Sequence, residues 1–364
     1  MIRLVAVKVL LALLGGCAGD PRSVAVTPTG SAAGERTVDF LLATNRAGHP
    51  DQPSGFGANR SASLSYAHYT VTVPPRHKPG RVEMPRSVPD PGQSFTVARR
   101  EDLERSAFHD RIAQGQGRHD VFVYVHGYNT SFPRALYRHA QIVADARQPG
   151  TAVLFSWPSQ GVLTDYTGDR DAANFSRDHL AILLTDLARD RRIGRITVLG
   201  HSMGGWLTTE TLRQLALTGR QDVLRRLRVV LAAPDIDVDV FATQVAAIGP
   251  MEPPLTVLVA TDDTALRVSG LLSGGRARVG ELDVDDPRVQ AMARRYGIAL
   301  VNIADFNDPG VAHHSRYAIL AALDPEVEDY GGVGIRHVGA FTLRKLGGAI
   351  ASPFVLVAAA IAPR

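Results

Sequence analysis

The chain has 364 residues, 45% of them hydrophobic and 21% charged, with a formal net charge of +4. Such a composition is ordinary for a globular protein and supports a sizeable core. The basic residues are almost all Arg, scattered or in doublets such as Arg225-Arg226 and Arg294-Arg295. No block of like charges marks a nucleic-acid arm, so no nucleic-acid partner is expected and the Arg content reads as solvation.

The N-terminus carries Arg3 and Lys8, a short apolar stretch, and then Leu14-Gly15-Gly16-Cys17. A basic start, an apolar core too short to span a bilayer and small residues before a cut site read as a secretory signal. Cys17 is the single cysteine, which excludes an intramolecular disulfide. Its place after Leu-x-Gly resembles the lipobox of bacterial lipoproteins. The expected division is a signal peptide over 1–16, a lipidated Cys17 with a flexible tether over 17–34, a catalytic domain over 35–325 and a C-terminal extension over 326–364. Ala18, not Asp, follows Cys17. The expected location is therefore the cell envelope, lipid-anchored, at the outer membrane and not the inner one.

Residues 38–43 look like a strand, 50–62 like a loop, and 69–73 alternate as a half-buried strand does. From Asp120 onward strands and helices alternate. Strands are expected over 121–125, 151–155, 195–199, 228–232, 255–260 and 299–303. Helices are expected over 133–146, 173–189, 203–217 and 315–323. Alternation of this kind implies a mostly parallel sheet flanked by helices, an α/β architecture. The segment 158–172 is too short for a lid domain. Residues 347–362 are apolar apart from Ser352 and are interrupted by Pro353. They read as a terminal helix packed on the core or a partner, or as a membrane-surface contact.

The strongest chemical signal is Gly200-His201-Ser202-Met203-Gly204, which follows one expected strand and opens a helix. A nucleophilic serine needs a sharp strand-to-helix turn to expose its hydroxyl, and small residues two before and two after permit that turn. The helix N-terminus then faces a developing oxyanion. The oxyanion amides are expected from Met203, after the nucleophile, and from Tyr128, after Gly127 on the loop leaving residues 121–125. His126 reads as a structural histidine. The orienting acid is expected at Asp263, with Asp262 and the group Asp235, Asp237 and Asp239 as alternatives; capping is the bland reading of that group. The base is expected at His314, with His313 as the alternative. Trp157, Tyr128 and Tyr166 either line an acyl pocket or pack over the sheet edge. No metal-ligand cluster and no phosphate- or dinucleotide-binding loop is evident, and no cofactor is expected.

Several longer motifs accompany the elbow. They are Ala43-Thr44-Asn45-Arg46, Leu64-Ser65-Tyr66, Val125-His126-Gly127-Tyr128-Asn129-Thr130-Ser131-Phe132, Phe155-Ser156-Trp157-Pro158-Ser159-Gln160-Gly161, Tyr166 with Asp169, and Ala233-Pro234-Asp235-Ile236-Asp237. Taken together they resemble a family of bacterial α/β-hydrolases, an uncharacterised esterase/lipase-like group once filed as a domain of unknown function. The resemblance spans residues 38–317 and implies the α/β-hydrolase fold with Ser202, Asp263 and His314 as a catalytic triad. One departure is local: the family's Gly-His-Ser-Tyr stands here as His313-His314-Ser315-Arg316. The expected activity is hydrolysis of a small-molecule or lipid ester through an acyl-enzyme. An amidase or thioesterase would use the same triad, and an inactive lipid-anchored envelope binding protein would keep only the fold.

Overall fold

The computed structural model describes Val24 and residues 26–32, 34–48, 55–86, 88–114, 117–146, 150–272, 274–304, 313–315 and 317–320. The expected signal segment, Cys17 and the apolar tail lie outside the described residues. The strands are β1 (Thr37–Gly48), β2 (Phe56–Thr72), β3 (Thr96–Leu103), β4 (His119–Val125), β5 (Thr151–Ser156), β6 (Ile193–His201), β7 (Leu227–Ala232), β8 (Leu255–Val259) and β9 (Ile298–Asn302). The helices are α1 (Arg105–Ile112), α2 (Phe132–Asp145), α3 (Tyr166–Arg189), α4 (Met203–Leu217), α5 (Gln221–Leu224), α6 (Val238–Ile248), α7 (Thr264–Leu272), α8 (Pro287–Tyr296) and α9 (Tyr317–Leu320).

The strands form one sheet in the order β3-β2-β1-β5-β4-β6-β7-β8-β9. Strand β2 runs against both of its neighbours, and every pairing from β1–β5 through to β8–β9 is parallel. This is the expected α/β-hydrolase architecture, with only residues 157–165 between β5 and α3.

The period-2 alternation of the strands feeds two cores, one on each face of the sheet. Val121, Val123 and Val125 of β4 join the core beneath α3, α4 and α6, while Tyr124 joins the core beneath α2 and α9. On α3 the stripe Leu180, Leu183, Leu184 and Leu187 is completely buried. Fully burying side chains of this kind contributes roughly 1.5–3 kcal/mol each. No helix among the described residues is long and apolar enough to cross a membrane.

Several elements differ from the sequence expectation. Strand β2 begins at Phe56, inside the expected loop, and α3 begins at Tyr166 instead of Ala173. Strand β3 carries Arg99, Arg100, Glu101 and Asp102 in mutual pairs, Arg99–Glu101 at 2.9 Å and Arg100–Asp102 at 2.7 Å. Charges mask an edge strand in the sequence because they protect it in the fold.

Candidate active site

Parallel pairing brings the C-terminal ends of the central strands to one edge. Val125 pairs with Gly200, and His201 pairs with Ala232. The loops after β4, β6 and β7 therefore leave the sheet side by side, and the loops after β8 and β9 emerge beside them.

Ser202 stands between β6 and α4 with φ 54° and ψ −120°. A left-handed conformation at a non-glycine residue costs of order 1–3 kcal/mol and needs support from its surroundings. Here the Ser202 amide donates to Ala232 O at 2.9 Å, and Ser202 O accepts from Gly205 N at 2.9 Å and Asp235 N at 3.2 Å. Gly204 is required because a Cβ there would be driven into the carbonyl oxygens of Val125 and His126. Gly127 is required because a Cβ there would lie 3.0 Å from the Ser202 Cβ and 2.9 Å from the His201 Nδ1. The loop after β4 thus lies directly against the elbow. Met203 opens α4, so its amide has no intrahelical acceptor.

Asp263 and His314 meet: Asp263 Oδ2 lies 2.7 Å from His314 Nδ1. The other oxygen of Asp263 accepts from the amides of Ala265 at 3.0 Å and Leu266 at 3.2 Å at the start of α7. Burial alone would raise the Asp263 carboxyl, but the charge and hydrogen bond of His314, with those two amides, hold it below the usual carboxylate range. Burial pulls His314 down, and the Asp263 charge and hydrogen bond, with the Asp235 charge, bring it above the ordinary histidine value. Asp262, next along the chain, is half-buried. His313 opens the same short turn, and its side chain lies outside the described ones.

His201 ties this pair to the elbow. Its Nε2 donates to His314 O at 3.0 Å, its ring lies 4.7 Å from the His314 ring, and it stacks on Tyr317 at 4.2 Å. Tyr317 in turn shares a 2.8 Å hydrogen bond with Tyr124 OH. Burial and the His314 charge hold His201 well below the ordinary histidine value, so it stays neutral.

The rival aspartates have other partners. Asp235 is buried and accepts from Tyr166 OH at 2.9 Å and Ser269 Oγ at 2.6 Å, with Arg278 Nε 3.3 Å away. Asp237 caps α6 by accepting from the amides of Asp239 and Val240, and Asp239 pairs with Arg276 at 3.0 Å.

Two residues that were only motif members in the sequence hold the loop after β4 in place. Asp169 accepts from Ser159 Oγ at 2.6 Å, Gln160 N at 2.7 Å and Asn129 N at 3.0 Å. Arg46 is buried and donates to Ser159 O, Gly57 O and Thr130 O, each at 3.0 Å, and to Ser156 Oγ at 2.9 Å. Burial lowers Arg46 to about 9 against the attraction of Asp169. Burial also raises Asp169, outweighing its donors and Arg46. Hydrogen bonds to several loops at once leave no one-dimensional signature, which is why neither role was readable.

Trp157 requires a correction. It is fully buried, donates from Nε1 to His126 O at 2.7 Å and stacks on the His126 ring at 4.9 Å. With no exposed surface it supports the loop from below and does not line an acyl pocket. His126 is buried between the carbonyls of Gly127 and Trp157, and burial followed by the Arg46 charge lowers it to about 3. Tyr128 and Tyr166 do come together, edge to face with centroids 5.3 Å apart. Tyr128 OH donates to Leu163 O, and Val162 and Leu163 are exposed beside it. Among the described residues no group of three or more His, Cys, Asp or Glu side chains is arranged to hold a metal.

The model of a family described as alpha/beta hydrolase of unknown function (DUF900) matches residues 100–329, more than half of the chain. The uncharacterized protein alr1448 of Nostoc sp. is 27% identical over 174 residues, which is 41% of this chain and 41% of that protein. The chain therefore spans less than half the length of that relative. Solved structures that align with it include a Rhizomucor miehei esterase (10% identity, 74% of each chain, TM-score 0.35) and a Pyrobaculum calidifontis esterase (15% identity, 78% and 80%, TM-score 0.33). A putative hydrolase from Agrobacterium vitis also aligns, at 14% identity over 79% of this chain and 98% of that one, with a TM-score of 0.33. Those scores carry no weight beside the family match. On that match, this chain belongs to the alpha/beta hydrolase family of unknown function.

Proposed function

We propose that the protein is a serine hydrolase that cleaves carboxylic esters through an acyl-enzyme. The observation that carries this reading is the 2.7 Å Asp263–His314 pair, held against the Ser202 elbow by His201. In the proposed reaction His314 takes the Ser202 proton as Oγ attacks the ester carbonyl. Asp263 fixes the imidazole through Nδ1 and stabilises its cationic form. The amides of Tyr128 and Met203 hold the tetrahedral oxyanion. The imidazolium protonates the departing alcohol, leaving Ser202 acylated. A water, deprotonated by the same imidazole, then releases the acid and restores the serine.

The half-exposed rim of Tyr128 and Tyr166, with Val162 and Leu163 beside it, supports an apolar acyl group over a charged one. A lipid anchor at Cys17 belongs to the same proposal and would hold the hydrolase at the cell envelope near acylated substrates.

The test is turnover of p-nitrophenyl esters of increasing acyl length by the full chain and by Ser202→Ala. The reading expects kcat/KM to rise with acyl length and to fall by roughly 10³-fold or more in the folded variant. Wild-type turnover in Ser202→Ala would reject it, and absence of turnover in both would favour an inactive binding protein.

A further inference from the structure

At the opposite end of the sheet from Ser202, the starts of β4, β6 and β7 surround an open cavity of about 350 Å³. Its lining includes five arginines, Arg118, Arg195, Arg225, Arg226 and Arg228. Strand β6 climbs from Arg195 to His201 across six residues, so this cavity lies about 20 Å from the elbow at roughly 3.3 Å per residue.

Structural work explains part of the cluster. Arg226 donates to Ala188 O at 2.8 Å, near the C-terminal end of α3, and to Ile193 O at 2.7 Å and Gly194 O at 3.1 Å. A cation there offsets the negative end of the helix and fixes the turn into β6. Arg118 gives Nε and Nη2 to Ile193 O at 3.2 and 3.1 Å. Arg195 pairs with Asp120 at 3.0 Å.

The remainder is excess charge. Among the described residues, Arg225 and Arg228 have no carboxylate at ion-pair distance. Partial burial of its guanidinium first, and the Arg195 charge second, hold Arg228 below the ordinary arginine value, with Asp120 pulling the other way. Arg118 and Arg226 hold their cations fixed on backbone carbonyls, which adds positive charge without neutralising any. Planar guanidinium forks with spare N–H groups match the tetrahedral oxygens of phosphate, where two N–H groups reach two oxygens at once. The sequence concealed the cluster because its members come from three strand starts far apart along the chain.

We propose that this cavity is a binding site for a phosphate-bearing ligand, separate from the Ser202 centre. Phosphate is the shared chemistry of a free phosphorylated metabolite and of an anionic lipid headgroup, and the two are separable by experiment. The full chain is titrated with inorganic pyrophosphate by calorimetry at low salt. It is also co-sedimented with phosphatidylcholine vesicles with and without phosphatidylglycerol. Each measurement is repeated on the double variant Arg225→Gln/Arg228→Gln, at two exposed positions where β7 begins. Comparing wild type and variant on the same vesicles removes any contribution of an N-terminal anchor.

The proposal expects pyrophosphate to bind once per chain, or phosphatidylglycerol to increase vesicle binding. In either case the double variant weakens that binding at least about tenfold, the scale set by losing charge-assisted hydrogen bonds. Pyrophosphate binding alone assigns the site to free ligands, and phosphatidylglycerol dependence alone assigns it to a headgroup. The proposal is overturned if neither probe binds, if duplex DNA binds in place of both, or if the double variant binds as tightly as wild type. Ester hydrolysis by the double variant is expected to be unchanged, so this test stands apart from the serine-hydrolase reading.

Discussion

Asp169→Asn separates positioning of the oxyanion loop from the chemistry itself. The carboxylate collects three donors, at 2.6, 2.7 and 3.0 Å, from the loops after β4 and β5. It is also the countercharge felt by the buried Arg46. Asn presents one carbonyl oxygen and turns an NH2 toward the remaining donors, so at least one of the three loses its partner. A charge-assisted hydrogen bond contributes roughly 1.5–3 kcal/mol, and leaving Arg46 without its countercharge adds to the loss. The expected destabilisation is about 3 kcal/mol, read by urea unfolding followed through Trp157 and Trp206 fluorescence. The Tyr128 amide rides on the same loop, next to Asn129. Removing an oxyanion donor outright costs about 10²–10³-fold in kcat. Loosening one should cost about tenfold in a variant assayed where it is still folded. A loss under about 1 kcal/mol with kcat unchanged would refute the claim that Asp169 holds this loop.

Further expectations follow from the same geometry. Asp263→Asn and His314→Ala are expected to lower kcat/KM by about 10³-fold or more, while Asp262→Asn stays near wild type; equal losses at Asp262 and Asp263 would remove the orienting role from Asp263. His314 acts as a base only when neutral and is raised above the ordinary histidine value. Activity should therefore fall as pH drops through that raised value, and the residual activity of Asp263→Asn should show this acid limb at lower pH. Cys17→Ser should abolish a mass increase from lipidation and move the protein from the membrane fraction to the soluble one; identical mass and fractionation of the two would mean that Cys17 carries no anchor.

The elbow is legible because its signal is local: five consecutive residues between a strand and a helix. Asp263 and His314, expected from chain order and from the family resemblance, meet at 2.7 Å. Contacts between distant segments leave less trace. Arg46 donates to carbonyls on three other segments, and its place inside a four-residue motif says nothing about them. Trp157 looked like a pocket residue because an aromatic beside a loop has two readings, and only the packing against His126 chooses between them. His201 stands inside the five-residue elbow, yet its Nε2 reaches a residue 113 positions away. The five arginines of the distal cavity share no periodicity at all. Asp237 went the other way: capping was the bland reading, and the amides of Asp239 and Val240 bear it out.

Hydrolysis through an acyl-enzyme requires an activated Ser202. The most direct measurement is labelling of the folded full chain with a fluorophosphonate probe, read by intact mass and peptide mapping. One adduct is expected, on the peptide carrying Ser202, absent in Ser202→Ala and formed far more slowly in His314→Ala. No adduct on the folded protein, or an adduct that persists in Ser202→Ala, would contradict that mechanism.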